Sequence, residues 1–314
     1  MNHPFQRWVD AARSRAELWR TVVGLGIVVA GLMVVANVVA MLAVAVGLIR
    51  AGDLQAILDE APRALTHLDA VIILGVGLAT FAGLWVGVWM ALKLLHKRSL
   101  ASLVGFDERF NGGQLLVGGG LAVGYLAGSV ALALITGGGP QRTSLPVEAW
   151  LTSLAPLVVL VLIQSAGEEL LFRGYLVQQL AARVNTPLVW GLVPALAFGL
   201  AHIANGRGDP QFTIYYIFAA LMLGLVMTAM VWRTGGVSAA IGFHAVNNVG
   251  AMLVVSVGAG EPSLSLFVLG YHDVMASAPT DLMLLGLLLA FVLSPYAPLP
   301  KGQPLRRKET RAAP

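Results

Sequence analysis

The stretch Gln164-Ser-Ala-Gly-Glu-Glu-Leu-Leu-Phe-Arg173 sets two adjacent carboxylates and a guanidinium inside an apolar run that begins at Leu151. On insertion scales an acidic residue at mid-membrane costs about 2.5–3.5 kcal/mol, so a pair of them marks a functional site before it marks packing. Glu169 and Arg173 are four residues apart, share one helix face and can neutralise each other. Glu168 sits about 100° further round and is left free to point elsewhere.

The composition around this stretch excludes a soluble globule. Of 314 residues, 57% are hydrophobic and only 11% charged, too few polar groups to cover a water-facing surface of that size. The chain reads as an all-α, multi-pass membrane bundle embedded in the lipid bilayer, with a bacterial inner membrane as its expected location. With no cysteine, there are no disulfides, thiolate metal ligands or cysteine nucleophile. The net charge of +4 is spread between apolar spans and not gathered on one module, so no nucleic-acid partner is expected.

Eight spans are expected, at about residues 21–49, 68–92, 114–136, 151–184, 188–204, 212–231, 237–257 and 280–296. They divide the chain into a cytoplasmic segment 1–20, three membrane helices within 21–149, a core of four helices in 150–257, a last loop and helix in 258–298, and a basic cytoplasmic tail 299–314. With the N-terminus inside, only Arg50, Arg63, Arg142 and Arg207 fall outside, and the other sixteen Lys and Arg lie on the cytoplasmic side. An even number of crossings follows, with both termini inside.

Gly120, Gly124 and Gly128 form a small-residue stripe that predicts close helix packing on the third span. Gly206-Arg-Gly-Asp209 reads as a turn beside Asn205 and Pro210, because no other span-interior Asp is in view to complete an aspartyl dyad.

Two of the six histidines, His202 and His244, lie inside apolar spans. Phe198 and His202 share one helix face, as do His244 and Asn248. Glu168 and His202 are equally far from the turn signal Asn185-Thr-Pro187, about 25 Å along each helix, so they are expected to face each other.

These residues carry a resemblance. Glu168-Glu-Leu-Leu-Phe-Arg173, Phe198-Gly-Leu-Ala-His202 and His244-Ala-Val-Asn-Asn248 resemble the Glu-Glu-x-x-x-Arg, Phe-x-x-x-His and His-x-x-x-Asn motifs of the CAAX-protease and bacteriocin-processing (CPBP) family, which includes the Rce1-type prenyl-protein proteases. The resemblance covers about residues 150–257. It implies an intramembrane endopeptidase acting on a peptide or protein substrate in or near the membrane. The positions of Glu168 and His202 would activate water. Those of His244 and Asn248 would stabilise the oxyanion or, in another account of the family, bind a metal.

The residues themselves permit the same chemistry. Glu168 is a base for water, His202 can relay a proton, and Asn248 and His244 are donors for an oxyanion. Arg173 is read as the partner of Glu169. A metal-free mechanism without cofactor is expected. Its alternative is a zinc protease using Glu168, His202, His244 and Asn248, though there is no His-Glu-x-x-His and Asn is an uncommon zinc ligand. Two other classes remain: a proton-coupled transporter, whose buried charges would form a relay, and a non-catalytic membrane scaffold or immunity factor. No second copy of the Glu-Glu stretch in the first three spans suggests an inverted repeat.

Overall fold

The computed structural model describes residues 3–50, 52, 66–136, 138–206, 208–258 and 264–299. The tail expected at 299–314 lies outside them but for Leu299, as do Arg63 and Arg207.

Helix boundaries follow local capping chemistry. Pro4–Asp10 (α1) opens with a proline, and His3 Nδ1 accepts from the amide of Phe5. Leu18–Ala45 (α2) is followed by His67–His96 (α3), which starts at a reciprocal capping box between Thr66 and Asp69. Gly112–Ile135 (α4) is capped by Asn111, Val147–Arg183 (α5) follows Pro146, and Leu188–Ala201 (α6) follows Pro187. Asp209 caps Pro210–Thr234 (α7) by accepting from the amide of Phe212 at 2.8 Å. The Gly206–Asp209 motif is thus a helix entry. Ser238–Val254 (α8) and Tyr271–Leu293 (α9) complete the set.

Six of these helices are long and apolar enough to cross a membrane, and the chain is an integral membrane helical bundle. The other two expected spans, α6 and α8, are apolar but shorter than the ~20 residues a full crossing takes. Helix α9 starts nine residues before the expected Thr280, because it runs through Pro279. The Ser277 hydroxyl donates to the carbonyls of Asp273 and Val274 and that of Thr280 to Ser277. The helical expectation holds apart from one small sheet of Gln141–Arg142 (β1), Val255–Val257 (β2) and Phe267–Leu269 (β3), in which β3 pairs antiparallel to β1 and parallel to β2.

Small residues do set the helix spacing, on a different face from the one expected. A Cβ on Gly118 would stand 1.9 Å from the carbonyl oxygen of Ala239, and one on Gly242 2.0 Å from that of Leu115, so α4 and α8 meet backbone to backbone. Gly120 and Gly124 have nothing within 4 Å of a built Cβ, and Gly128 meets a side chain of α9, Leu284.

Both ends of the described chain lie at one end of the bundle, in keeping with an even number of crossings. His3 stacks on Trp232, while Arg233 reaches the carbonyls of Val292 (3.0 Å), Ser294 and Leu299 beyond α9. Gly235, at φ +67°, ends α7 in the left-handed conformation, and a Cβ there would press on Pro4 at 2.7 Å. Trp8 is buried, with its indole N–H donating to Leu103, and Gln178 donates to the carbonyls of Trp8 and Ser102. The N-terminal segment is thus packed against α5.

Candidate active site

Regular α-helical geometry in α5 ends at Glu169, and Leu170–Leu176 continues as π-helix. Wider turns of this kind recur at functional sites. Glu169 and Arg173 are fully buried, at 0% exposure, and Arg173 Nη1 donates to Glu169 Oε1 at 2.8 Å. The pairing expected from their spacing is therefore present.

Glu169 Oε1 takes a second bond, from Nδ1 of His244 on α8, also at 2.8 Å. A carboxylate only accepts, so Nδ1 carries the proton and Nε2 of His244 is turned outward. Glu168 Oε2 lies 3.4 Å from that Nε2 and makes no hydrogen bond among the described residues. The carboxylate expected opposite His202 thus makes its ion-pair contact with His244.

His202 ends α6, and its Nδ1 lies 2.7 Å from the Phe198 carbonyl oxygen. Because that oxygen accepts, Nε2 of a neutral His202 is left as an acceptor. The Phe198 ring joins the two histidines: it packs against His202 at 4.5 Å between centroids and edge-on against His244 at 5.6 Å. Its face also carries the Arg173 guanidinium, 4.1 Å from the ring centre, a desolvated cation–π contact.

Asn248 is held from α5. Its amide donates to Gln164 Oε1 at 3.0 Å, and Ser165 Oγ donates to the same oxygen at 3.1 Å. Gln164 and Ser165 lie in the stretch read first and had no role assigned. Their signal was the polarity of two side chains one turn before the Glu pair. Phe198, His202, His244 and Asn248 line a cavity of about 200 Å³, which also reaches Asp281 on α9. Asp281 is a buried acidic residue inside a crossing helix, which corrects the expectation that none existed. It is the second residue of the span expected from Thr280, and the earlier start of α9 at Tyr271 moves it from that edge into the helix interior.

Among the described residues no three His, Cys, Asp or Glu side chains converge as metal ligands. No chemical step is routed through a metal below.

Residues 150–250, which hold all three motifs, match the family model described as type II CAAX prenyl endopeptidase Rce1-like. The chain is also similar to the uncharacterized protein YyaK of Bacillus subtilis (strain 168), with 28% identity over 260 residues, 79% of this chain and 82% of that one. No solved structure gives a significant match. The helices that bring Glu168, Glu169, Arg173, His202, His244 and Asn248 together are thus the part of the chain that is similar to the Rce1-like CAAX prenyl endopeptidase (CPBP) family.

Proposed function

We propose that the protein is an intramembrane endopeptidase that cleaves membrane-associated peptides with water activated by Glu168. The observation that carries this reading is the buried convergence of Glu168 and Glu169 on the two sides of one imidazole, that of His244, at the wall of a cavity. In this mechanism the attacking water donates one hydrogen to Glu168 and the other to Nε2 of His202. As its oxygen bonds to the scissile carbonyl carbon, the first proton passes to Glu168. Glu169 supports positive charge on His244 through Nδ1, so the proton can be shared across the 3.4 Å to Nε2 and then delivered to the leaving amine. The Asn248 amide, aligned by Gln164, donates its other hydrogen to the developing oxyanion. Arg173 pairs with Glu169 and takes no part in bond making.

The family supports this activity class, and the substrate is proposed only as a peptide in or near the bilayer of a bacterial inner membrane. The decisive experiment is cleavage of a membrane-peptide library by the purified protein and its Glu168→Gln variant. Cleavage that survives the substitution undiminished would refute the role of Glu168. Proton flux in liposomes that requires Glu168, without proteolysis, would favour the transporter class, and neither activity would favour the scaffold.

A further inference from the structure

Asp281 lies on α9, outside the family-matched residues, yet lines the same cavity as His202 and His244. Its carboxylate is surrounded by hydroxyls. Ser129 donates to Oδ1 at 2.6 Å, Tyr215 to Oδ2 at 2.8 Å, and Tyr125 lies 3.2 and 3.1 Å from the two oxygens. Three hydroxyls are thus aimed at the two oxygens of one carboxylate, a group that accepts from each of them.

Joining those hydroxyls requires only acceptors, and a neutral amide carbonyl would supply one at a lower cost of desolvation. The charge is superfluous to the packing of α4, α7 and α9. Nor is it cancelled: among the described residues Asp281 makes no ion pair, and no Lys or Arg lines the cavity. Much of the wall is apolar or aromatic, with Phe198, Phe212 and Phe243 beside the polar but uncharged Asn247 and Asn248. An ionised carboxylate at the wall of a low-dielectric cavity attracts a cation, and the open space leads from it to the two histidines.

We propose that Asp281 forms a subsite for a cationic side chain, lysine or arginine, of the peptide substrate, held beside the scissile bond at His202 and His244. This rests on the endopeptidase reading for its substrate class, but binding tests it without cleavage.

The probe is a scanning set of apolar, membrane-partitioning peptides in which one lysine, or its uncharged counterpart norleucine, occupies each position in turn. Binding is measured to the Glu168→Gln protein in phosphatidylcholine nanodiscs, whose zwitterionic lipid adds no net charge. At one position lysine should bind at least tenfold more tightly than norleucine. Adding Asp281→Asn should remove that preference, whereas Tyr215→Phe, which deletes a hydroxyl and leaves the charge, should keep it. Equal binding of lysine and norleucine at every position would overturn the inference, and this comparison needs no Asp281 variant that folds. So would a lysine preference that persists in a folded Asp281→Asn protein. If the parent cleaves none of the peptides it binds with a lysine preference, the endopeptidase reading falls while the cation subsite stands.

Discussion

Nδ1 of His244 lies 2.8 Å from Oε1 of Glu169, a bond that ties α8 to α5 across 75 positions of sequence. The second carboxylate of the motif therefore has a duty distinct from the first: it anchors an imidazole and balances Arg173.

That division predicts different failures for two similar substitutions. Glu168→Gln keeps shape and should leave the melting temperature in detergent nearly unchanged while peptide cleavage falls by roughly 10²-fold or more. Glu169→Gln strands Arg173 in the interior, and breaking such a pair costs about 3–5 kcal/mol, so melting and rate should both fall. The double replacement Glu169→Gln/Arg173→Met should regain stability without activity. Equal melting of all four proteins would refute the assignment.

Much of this site was legible because polar residues stand out in apolar spans. Glu168, Glu169, Arg173, His202, His244 and Asn248 could each be singled out, and Glu169 with Arg173 could be paired from helix geometry alone. The partner of His244 could not. Which carboxylate it meets depends on how α5 and α8 are rotated about their axes, and spacing within one helix says nothing of that. Asp281 stood at the edge of the span expected from Thr280, and only the helix's run through Pro279 from Tyr271 makes it an interior residue.

The same limit explains the glycine stripe and yields a second prediction. Gly118 and Gly120 are two residues apart, hence about 200° apart around α4, and only the former faces α8. Gly118→Val should abolish folding or lower the melting temperature strongly, since backbone stands where its side chain would be. Gly124→Val should be tolerated. The two proteins can be compared by thermal scanning in one detergent, and a reversed order would show that α4 is turned the other way.

In the proposed mechanism Asn248 acts in the transition state alone. Asn248→Ala should lower kcat by roughly 10²–10³-fold with little change in KM, the signature of losing an oxyanion donor. Gln164→Ala should give a smaller loss of the same kind, because the amide remains and only its alignment is lost. A rise in KM without a fall in kcat, measured on any cleaved peptide, would assign Asn248 to ground-state binding.

Metal removal separates the two protease mechanisms. Activity should persist after exhaustive chelation confirmed by elemental analysis if the base is the Glu168 carboxylate, as proposed; among the described residues no three metal ligands converge. Loss of cleavage that added zinc restores would reverse the roles given to His244 and Asn248.

Membrane orientation can be read with reporter fusions placed after Pro140 and at the C-terminus. Sixteen of twenty basic residues on one side predict that the two report opposite compartments, with the C-terminus cytoplasmic. The same compartment for both would overturn the parity.

The docking of α1 bears on biosynthesis. Trp8 and Pro4 leave the ribosome well before the groups they pack against, Leu103, Gln178 and Gly235. At about 5–20 residues per second, roughly ten to fifty seconds of translation separate the appearance of this segment from that of its full seat. During that interval its buried faces, Phe5, Trp8 and Val9, must be sheltered by the membrane surface or the insertion machinery. Added bulk at His3 or Pro4 would meet Trp232 and Gly235 at the moment of closure.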